Sequence, residues 1–239
     1  GRPTGTWGDI GTSSFYPPHH MTMGEGGATY TDNPLLQKIM LSMRDWGRDC
    51  WCESGVDNTC NSRFSKKFGD LPKGYDHKYV YSHFGFNLKV SDMQAAVGVA
   101  QLEKFPKFVE KRKENHKRLL DGLVGLEKYI SIQKATPNSD PSWFGFLMTV
   151  NDDMKFTRND MSIFLENNKI QTRNLFAGNI LRHPLFDEME ENIDYRAIGK
   201  LANTDKIMND SFWIGLYPGM GDDAIDYMIK KIRDFCKDE

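Results

Sequence analysis

Three cysteines, Cys50, Cys52 and Cys60, fall close together with the spacing C-x-C-x7-C, and the fourth, Cys236, stands far away. Thiolates bunched on one stretch suit zinc or an iron–sulfur cluster, both of which usually take four ligands. The C-x-C spacing is less usual for zinc. With three thiols visible, the fourth ligand is Cys236, a side chain other than Cys, or a residue outside this chain. Buried thiols that bind nothing are the alternative. A disulfide framework fits poorly, because such frameworks belong to short Cys-dense secreted chains. Two adjacent histidines, His19 and His20, follow Pro17-Pro18. On extended chain neighbouring side chains point to opposite sides, so the two do not bind one metal, and one can enter a site while the other faces outward. Taken singly, these two and His77, His83, His116 and His183 read as structural residues. Gly24-Glu25-Gly26-Gly27 has the backbone for a phosphate cradle but lacks the P-loop Lys and Ser/Thr, and it reads as a turn. Arg44, Arg48, Lys66, Lys67, Lys73 and Lys78 are scattered, as on solvated surface. These features alone describe an α/β enzyme with a thiolate metal site.

The elements that must position these residues follow from the pattern along 239 residues. Residues 7–16 and 28–31 read as two short strands about the glycine turn. Pro34 opens a helix with an apolar stripe of Leu35, Leu36, Ile39, Met40 and Met43, ended by Gly47. Residues 48–86 have little periodicity, and a loop that long is functional or disordered. Its aromatic side chains, among them Trp51, Phe64, Tyr75, Tyr79 and Phe86, argue for order. Ser91 and Gln94 form a capping box before a helix reaching about Phe105. Pro106 is expected to break or kink that helix, with a second, highly charged helix running to about Leu123. Strands are expected at 129–133, 143–150 and 212–217. Thr157 and Asp160 cap a helix ending at Asn167-Asn168, and Ile225, Met228, Ile229, Ile232 and Phe235 line one face of a last helix. The domain boundary is placed at 110/111.

Composition narrows the function. Lys plus Arg is 31 against 33 Asp plus Glu, a net charge of −2, so no global field draws nucleic acid or anionic lipid. No apolar run approaches the roughly 20 residues needed to cross a bilayer, and no signal-peptide core is visible. A soluble cytoplasmic protein is expected. The chain starts at Gly1 in what reads as mid-domain, as a fragment or processed chain would.

The stretch Ser14-Phe15-Tyr16-Pro17-Pro18-His19-His20, continuing to Gly27, resembles the active-site segment of the DegT-type sugar aminotransferases. So do Arg44 to Cys52, Gly74 to Tyr79, Gly85 to Lys89, Asn174 to Asn179 and Phe212 to Gly219. These ordered motifs cover the whole chain. The resemblance implies the aspartate aminotransferase-like α/β fold of the PLP-dependent transferases (fold type I). Residues 1–110 would be the C-terminal part of the large cofactor domain, and 111–239 the small domain. Ordinary members carry the Schiff-base Lys at the His19 position, and His there marks the sugar 3-dehydrase branch. The resemblance then implies pyridoxamine 5′-phosphate held without a covalent tether, and His19 as catalytic base. It implies Ser14 at the cofactor phosphate and Asn87 at the phosphate of a neighbouring subunit's cofactor, hence a homodimer. Arg173 and Asn179 would contact the substrate, CDP-4-keto-6-deoxyhexose. Cys50, Cys52 and Cys60 match the cluster motif of the iron–sulfur members less one ligand, which by that match falls before Gly1. They imply a 2Fe–2S cluster fed by a flavin or iron–sulfur reductase, in dideoxysugar and O-antigen biosynthesis. A cluster-free dehydratase using glutamate is the first alternative, and a non-catalytic truncated fragment the second. Cys236 carries no role.

Overall fold

The computed structural model describes residues 1–52, 55, 56 and 58–238. The chain divides into two compact units, Gly1–Lys104 and Phe105–Glu239.

In the first unit, β1 (Gly11–Ser14) and β2 (Gly27–Tyr30) form an antiparallel ladder in which Ser14 faces Gly27 and Gly11 faces Tyr30. The first strand is shorter than the pattern suggests, and the second has the expected length one residue earlier. Helix α1 (Pro34–Arg44) starts where expected: Pro34 occupies the first turn and the Asn33 side chain accepts the Leu35 and Leu36 N–H groups at 2.9 and 3.4 Å. Within its apolar stripe Leu35 and Ile39 are 65% and 45% exposed, while Leu36, Met40 and Met43 are half-buried. The long loop from Asp45 to Val90 is ordered around a neck. Trp46 N–H donates to Phe86, Phe86 N–H to Met43, Ser82 and His83 N–H to Gly47, and Asp49 N–H to Val80. Gly47 permits this neck: its φ is +77°, and a Cβ there would run into the His83 carbonyl oxygen.

Helix α2 runs unbroken from Asp92 to Gly122, 31 residues with Pro106 inside it. The expected break at Pro106 is therefore corrected. A proline removes one helical N–H, and the residues on both sides are strong helix formers. The downstream half is also tied into the second unit: buried Arg112 donates to the carbonyls of Phe144 and Leu216, and the Asn115 amide to Tyr217 and Met220. The start obeys the capping box, with Ser91 N–H donating to the Gln94 side chain at 2.8 Å.

In the second unit, β3 (Ile130–Ile132), β4 (Gly145–Val150), α3 (Arg158–Asn167), β5 (Thr172–Asn174), α4 (Ala202–Asp210), β6 (Ser211–Gly215) and α5 (Asp222–Asp238) follow in order. The four strands form one antiparallel sheet, β3-β4-β6-β5. The Thr157–Asp160 capping box opens α3 as expected. Alternate residues of β4 (Phe146, Met148, Val150) point into the core, where they meet Phe212 and Ile214 of β6 and Ile225, Met228 and Ile232 of α5. Strand β5 and helix α4, too short to stand out in the pattern, fill the region left unread. No helix among the described residues is long and apolar enough to cross a membrane.

Candidate functional site

Ser14 ends β1, and the loop from there to β2 carries His19. It is folded by its own backbone: Phe15 N–H donates to Gly26 at 2.9 Å, Met23 N–H to Phe15 at 3.0 Å and His19 N–H to Tyr16 at 2.9 Å. Met23, 8% exposed, is its anchor, packed where a Cβ on Gly98 of α2 would stand 2.8 Å from the Met23 Cγ. The Gln94 amide adds a hydrogen bond to the Glu25 carbonyl at 3.0 Å. The glycine run is the turn expected, with Gly24 at φ +81°. On this frame Ser14 Oγ accepts the Tyr16 N–H at 3.3 Å, and the Tyr16 ring meets the His19 imidazole edge-on at 5.5 Å. One short loop thus presents a hydroxyl and an imidazole, and the first lysine of the chain is Lys38, in α1. That set suits a phosphate-bearing amine cofactor held without an imine to the protein: the hydroxyl is an anion partner and the imidazole a base.

Asn87 lies on a separate segment, after the neck of the long loop. It pairs with Asp45 in an isolated bridge, and its side-chain oxygen accepts the Lys89 ammonium at 2.8 Å.

The three clustered cysteines carry free thiols, each half-buried. Burial raises the Cys50 thiol, whereas the Thr59 hydroxyl brings Cys52 down to about 7. Cys50 and Cys52 line a cavity of about 380 Å³ with Arg48, Arg63 and His77. His77 is 1% exposed; its Nδ1 lies 2.9 Å from the Asp49 carbonyl and its Nε2 3.3 Å from Cys60 Sγ. Among the described residues no group of three or more His, Cys, Asp or Glu side chains is arranged to hold a metal ion. The Cys60 sulfur spends its contact on His77. The donor chemistry fits a thiophilic group, with one thiol already near its charged form at neutral pH.

In the second unit Arg173 stands on β5 opposite Trp213, its guanidinium donating to the Thr172 carbonyl at 2.8 Å. Asn179 is buried, and both ends of its amide are engaged. Its Nδ2 donates to Asp205 at 2.6 Å, and its oxygen accepts the Leu181 N–H at 3.2 Å, capping the 3-10 turn Ile180–Arg182. Arg182 completes the network on Asp205 and, with Asn179, draws that carboxyl down to about 2. Between Arg173 and Asn179, Phe176 sits at φ +47°, a conformation rare for a bulky residue. Its ring lies 6.1 Å from Trp213, at the edge of an apolar cavity of about 130 Å³ shared with Trp143 and Phe144. The buried Trp213 Nε1 has no protein partner. The sequence reading missed this aromatic cavity, although four aromatic residues in strand-forming segments were a signal. It also set His77 aside as structural. Its position 17 residues after Cys60, in a stretch dense with turn residues, gave no periodicity to work from.

Residues 1–233 match the profile of the DegT/DnrJ/EryC1/StrS aminotransferase family, and the chain belongs to that family. Over 235 residues it is 53% identical to the lipopolysaccharide biosynthesis protein RfbH of Salmonella typhimurium, which covers 98% of this chain and 53% of that protein. It is 52% identical over 235 residues to the dTDP-4-dehydro-2,6-dideoxy-D-glucose 3-dehydratase of Saccharopolyspora spinosa, covering 98% of this chain and 50% of the other. The chain spans about half the length of the curated relatives it matches. The GDP-4-keto-6-deoxy-D-mannose-3-dehydratase of E. coli with bound hydrated PLP superposes with a TM-score of 0.79 at 24% identity, over 97% of this chain and 56% of that one. The fold is that of the PLP-dependent aminotransferase-like proteins.

Proposed function

We propose that the protein is a pyridoxamine phosphate-dependent dehydratase that removes the C3 hydroxyl of a nucleotide-linked 4-keto-6-deoxyhexose in dideoxysugar and lipopolysaccharide biosynthesis. The observation that carries the reading is the β1–β2 loop, with an imidazole at His19 and no lysine between Ser14 and Gly27. Two relatives above 50% identity, one named a sugar 3-dehydratase and the other a lipopolysaccharide biosynthesis protein, support it. When bound, the cofactor supplies an amine for the 4-keto carbon and a ring that accepts electron density as the C3–O bond breaks. His19 takes the proton from C4′ of the cofactor as general base, with Tyr16 edge-on to orient its ring. Ser14 binds the phosphate. Asn87 reaches the cofactor phosphate of a second subunit in a homodimer, and Lys89 sets the orientation of its amide. Arg173 meets the nucleotide sugar, read as CDP-linked, and Asn179 shapes the turn beside it. Cys50, Cys52 and Cys60 would supply three thiolates to a 2Fe–2S cluster, whose chemistry there would be one-electron transfer from a reductase. The enzyme acts in the cytoplasm.

The test is His19→Asn in the full-length protein. Turnover should fall about 10²- to 10⁴-fold, with cofactor binding retained. A variant with wild-type turnover would overturn the reading. A cluster-free dehydratase regenerating its cofactor with glutamate is favoured by one observation, that no metal-holding group is formed among the described residues. Iron and acid-labile sulfide analysis of anaerobic protein separates the two: both elements present support the cluster, and neither present with glutamate-driven turnover supports the alternative.

A further inference from the structure

We infer that Arg48 is an anion-binding residue, taking a phosphate ester in the cavity of about 380 Å³ that it lines with Asp45, Trp46 and Lys89. Its side chain is fixed by aromatic rings. The guanidinium stacks on Trp46 at 4.5 Å and lies 5.9 Å from the rings of Tyr79 and Tyr81. Its backbone pairs with Tyr81 in an isolated bridge. Rings answer only the two faces of the guanidinium plane. Its N–H donors point outward within that plane and need acceptors. Among the described residues Arg48 has none: its Nε is shielded from solvent without a hydrogen-bond partner, and no carboxylate forms an ion pair with it. A shielded donor left in that state is costly, so the site is completed by an acceptor from outside the chain.

The surroundings say what kind. Lys89 Nζ lies 3.5 Å from the centroid of the same Trp46 ring, so one indole carries two cations. Asp45 compensates Lys89 at 3.8 Å and is also engaged by Arg44 at 3.1 Å. No described carboxylate on the cavity wall is left for Arg48. A guanidinium held flat presents a fork of parallel N–H bonds, which suits a phosphate oxygen pair. The same frame holds Asn87, which bridges Asp45 and whose side-chain oxygen accepts Lys89 at 2.8 Å. The source of the phosphate rests on the proposed function. It is either the cofactor or the diphosphate of the nucleotide sugar.

The test is calorimetric binding by the full-length protein and its Arg48→Gln and Arg48→Lys variants. The probes are CDP, pyridoxamine 5′-phosphate and inorganic pyrophosphate. Arg48→Gln should weaken at least one of them about 10- to 100-fold, the worth of hydrogen bonds to a charged group. Arg48→Lys, a point charge without the fork, should recover part of that loss. A loss confined to CDP assigns the nucleotide sugar, and a loss confined to pyridoxamine 5′-phosphate assigns the cofactor. Amide exchange at Trp46 and His83 reports whether the neck stays folded. Where Arg48→Gln loosens the neck, Arg48→Lys with the neck intact decides, and wild-type affinity in it overturns the proposal. Unchanged binding of all three probes in Arg48→Gln overturns it too, as does a wild-type protein that binds none of them. Pyrophosphate binding that depends on Arg48, with neither CDP nor pyridoxamine 5′-phosphate bound, would keep the anion site and sink the dehydratase reading instead.

Discussion

In the second unit a contiguous cluster that includes Phe146, Met148, Met161, Phe212, Ile214 and Ile232 is fully shielded from solvent. In the first unit the buried hydrophobic side chains among the described residues are Met23 and Val80, while Phe84, Phe86, Leu88 and Met93 are 61 to 102% exposed. The second unit is held by apolar burial at about 25 cal/mol per Å². The first is held by the backbone hydrogen bonds of the neck, by glycines at close crossings, and by cations on aromatic faces such as Lys66 over Trp51 at 4.5 Å. The difference teaches where each kind of order is useful. A packed core makes a rigid scaffold, whereas a loop pinned by hydrogen bonds can converge a hydroxyl, imidazoles and thiols that no core would admit unpaired.

The largest break in this contrast comes from Phe212→Ala. Phe212 is fully buried in the sheet, so its truncation should cost about 3–5 kcal/mol, read as a shift of the urea midpoint reported by the second unit. A cost below 1 kcal/mol would mean that the core is not what holds that unit. Next comes Gly47→Ala. A left-handed non-glycine residue costs about 1–3 kcal/mol, and here the Cβ also meets the His83 carbonyl. Amide exchange at Trp46, Ser82, His83 and Phe86 should quicken while β4 and β6 keep their protection. Uniform quickening would show that the units do not differ as argued.

A smaller effect is read as a slope. Asp205 is held down to about 2 by Arg182 and Asn179, against 3.8 ordinarily. With the folded-state value depressed, the unfolded chain binds the proton first. The stabilisation is fully present above about pH 4 and fades as pH falls toward 2. Asp205→Asn should flatten the acid limb of stability in that window, and denaturation midpoints from pH 2 to 5 check it. Smallest of all is Leu35→Ala on the solvent face of α1, expected within about 0.5 kcal/mol of wild type. A drop beyond 2 kcal/mol would show that this stripe is covered in solution.

The same contrast explains what could be read beforehand. Helix starts are local, so Pro34, the Ser91–Gln94 pair and the Thr157–Asp160 pair marked their helices correctly. The alternation in β4 and the stripe of α5 were legible because both elements face one core. Pro106 misled because local propensity yielded to tertiary anchoring through Arg112 and Asn115. Arg173 and Asn179 were picked out together, yet only the structure reveals that the Asn179 amide is spent on Asp205 and Leu181. His77 was invisible as a partner of Cys60, since a contact between residues 17 apart in an aperiodic loop leaves no pattern along the chain.

The neck has one more consequence. The stretch from Asp49 to Val80 leaves and returns at adjacent points, joined by the Asp49–Val80 hydrogen bond and by the crossings at Gly47. A segment whose ends already touch is a cassette. It can be shortened, lengthened or exchanged without rerouting the chain around it, because closing a shorter connection there costs little extra entropy. All three clustered thiols and His77 travel inside that cassette, whereas Ser14 and His19 do not. Exchanging that stretch would leave Ser14 and His19 where they stand.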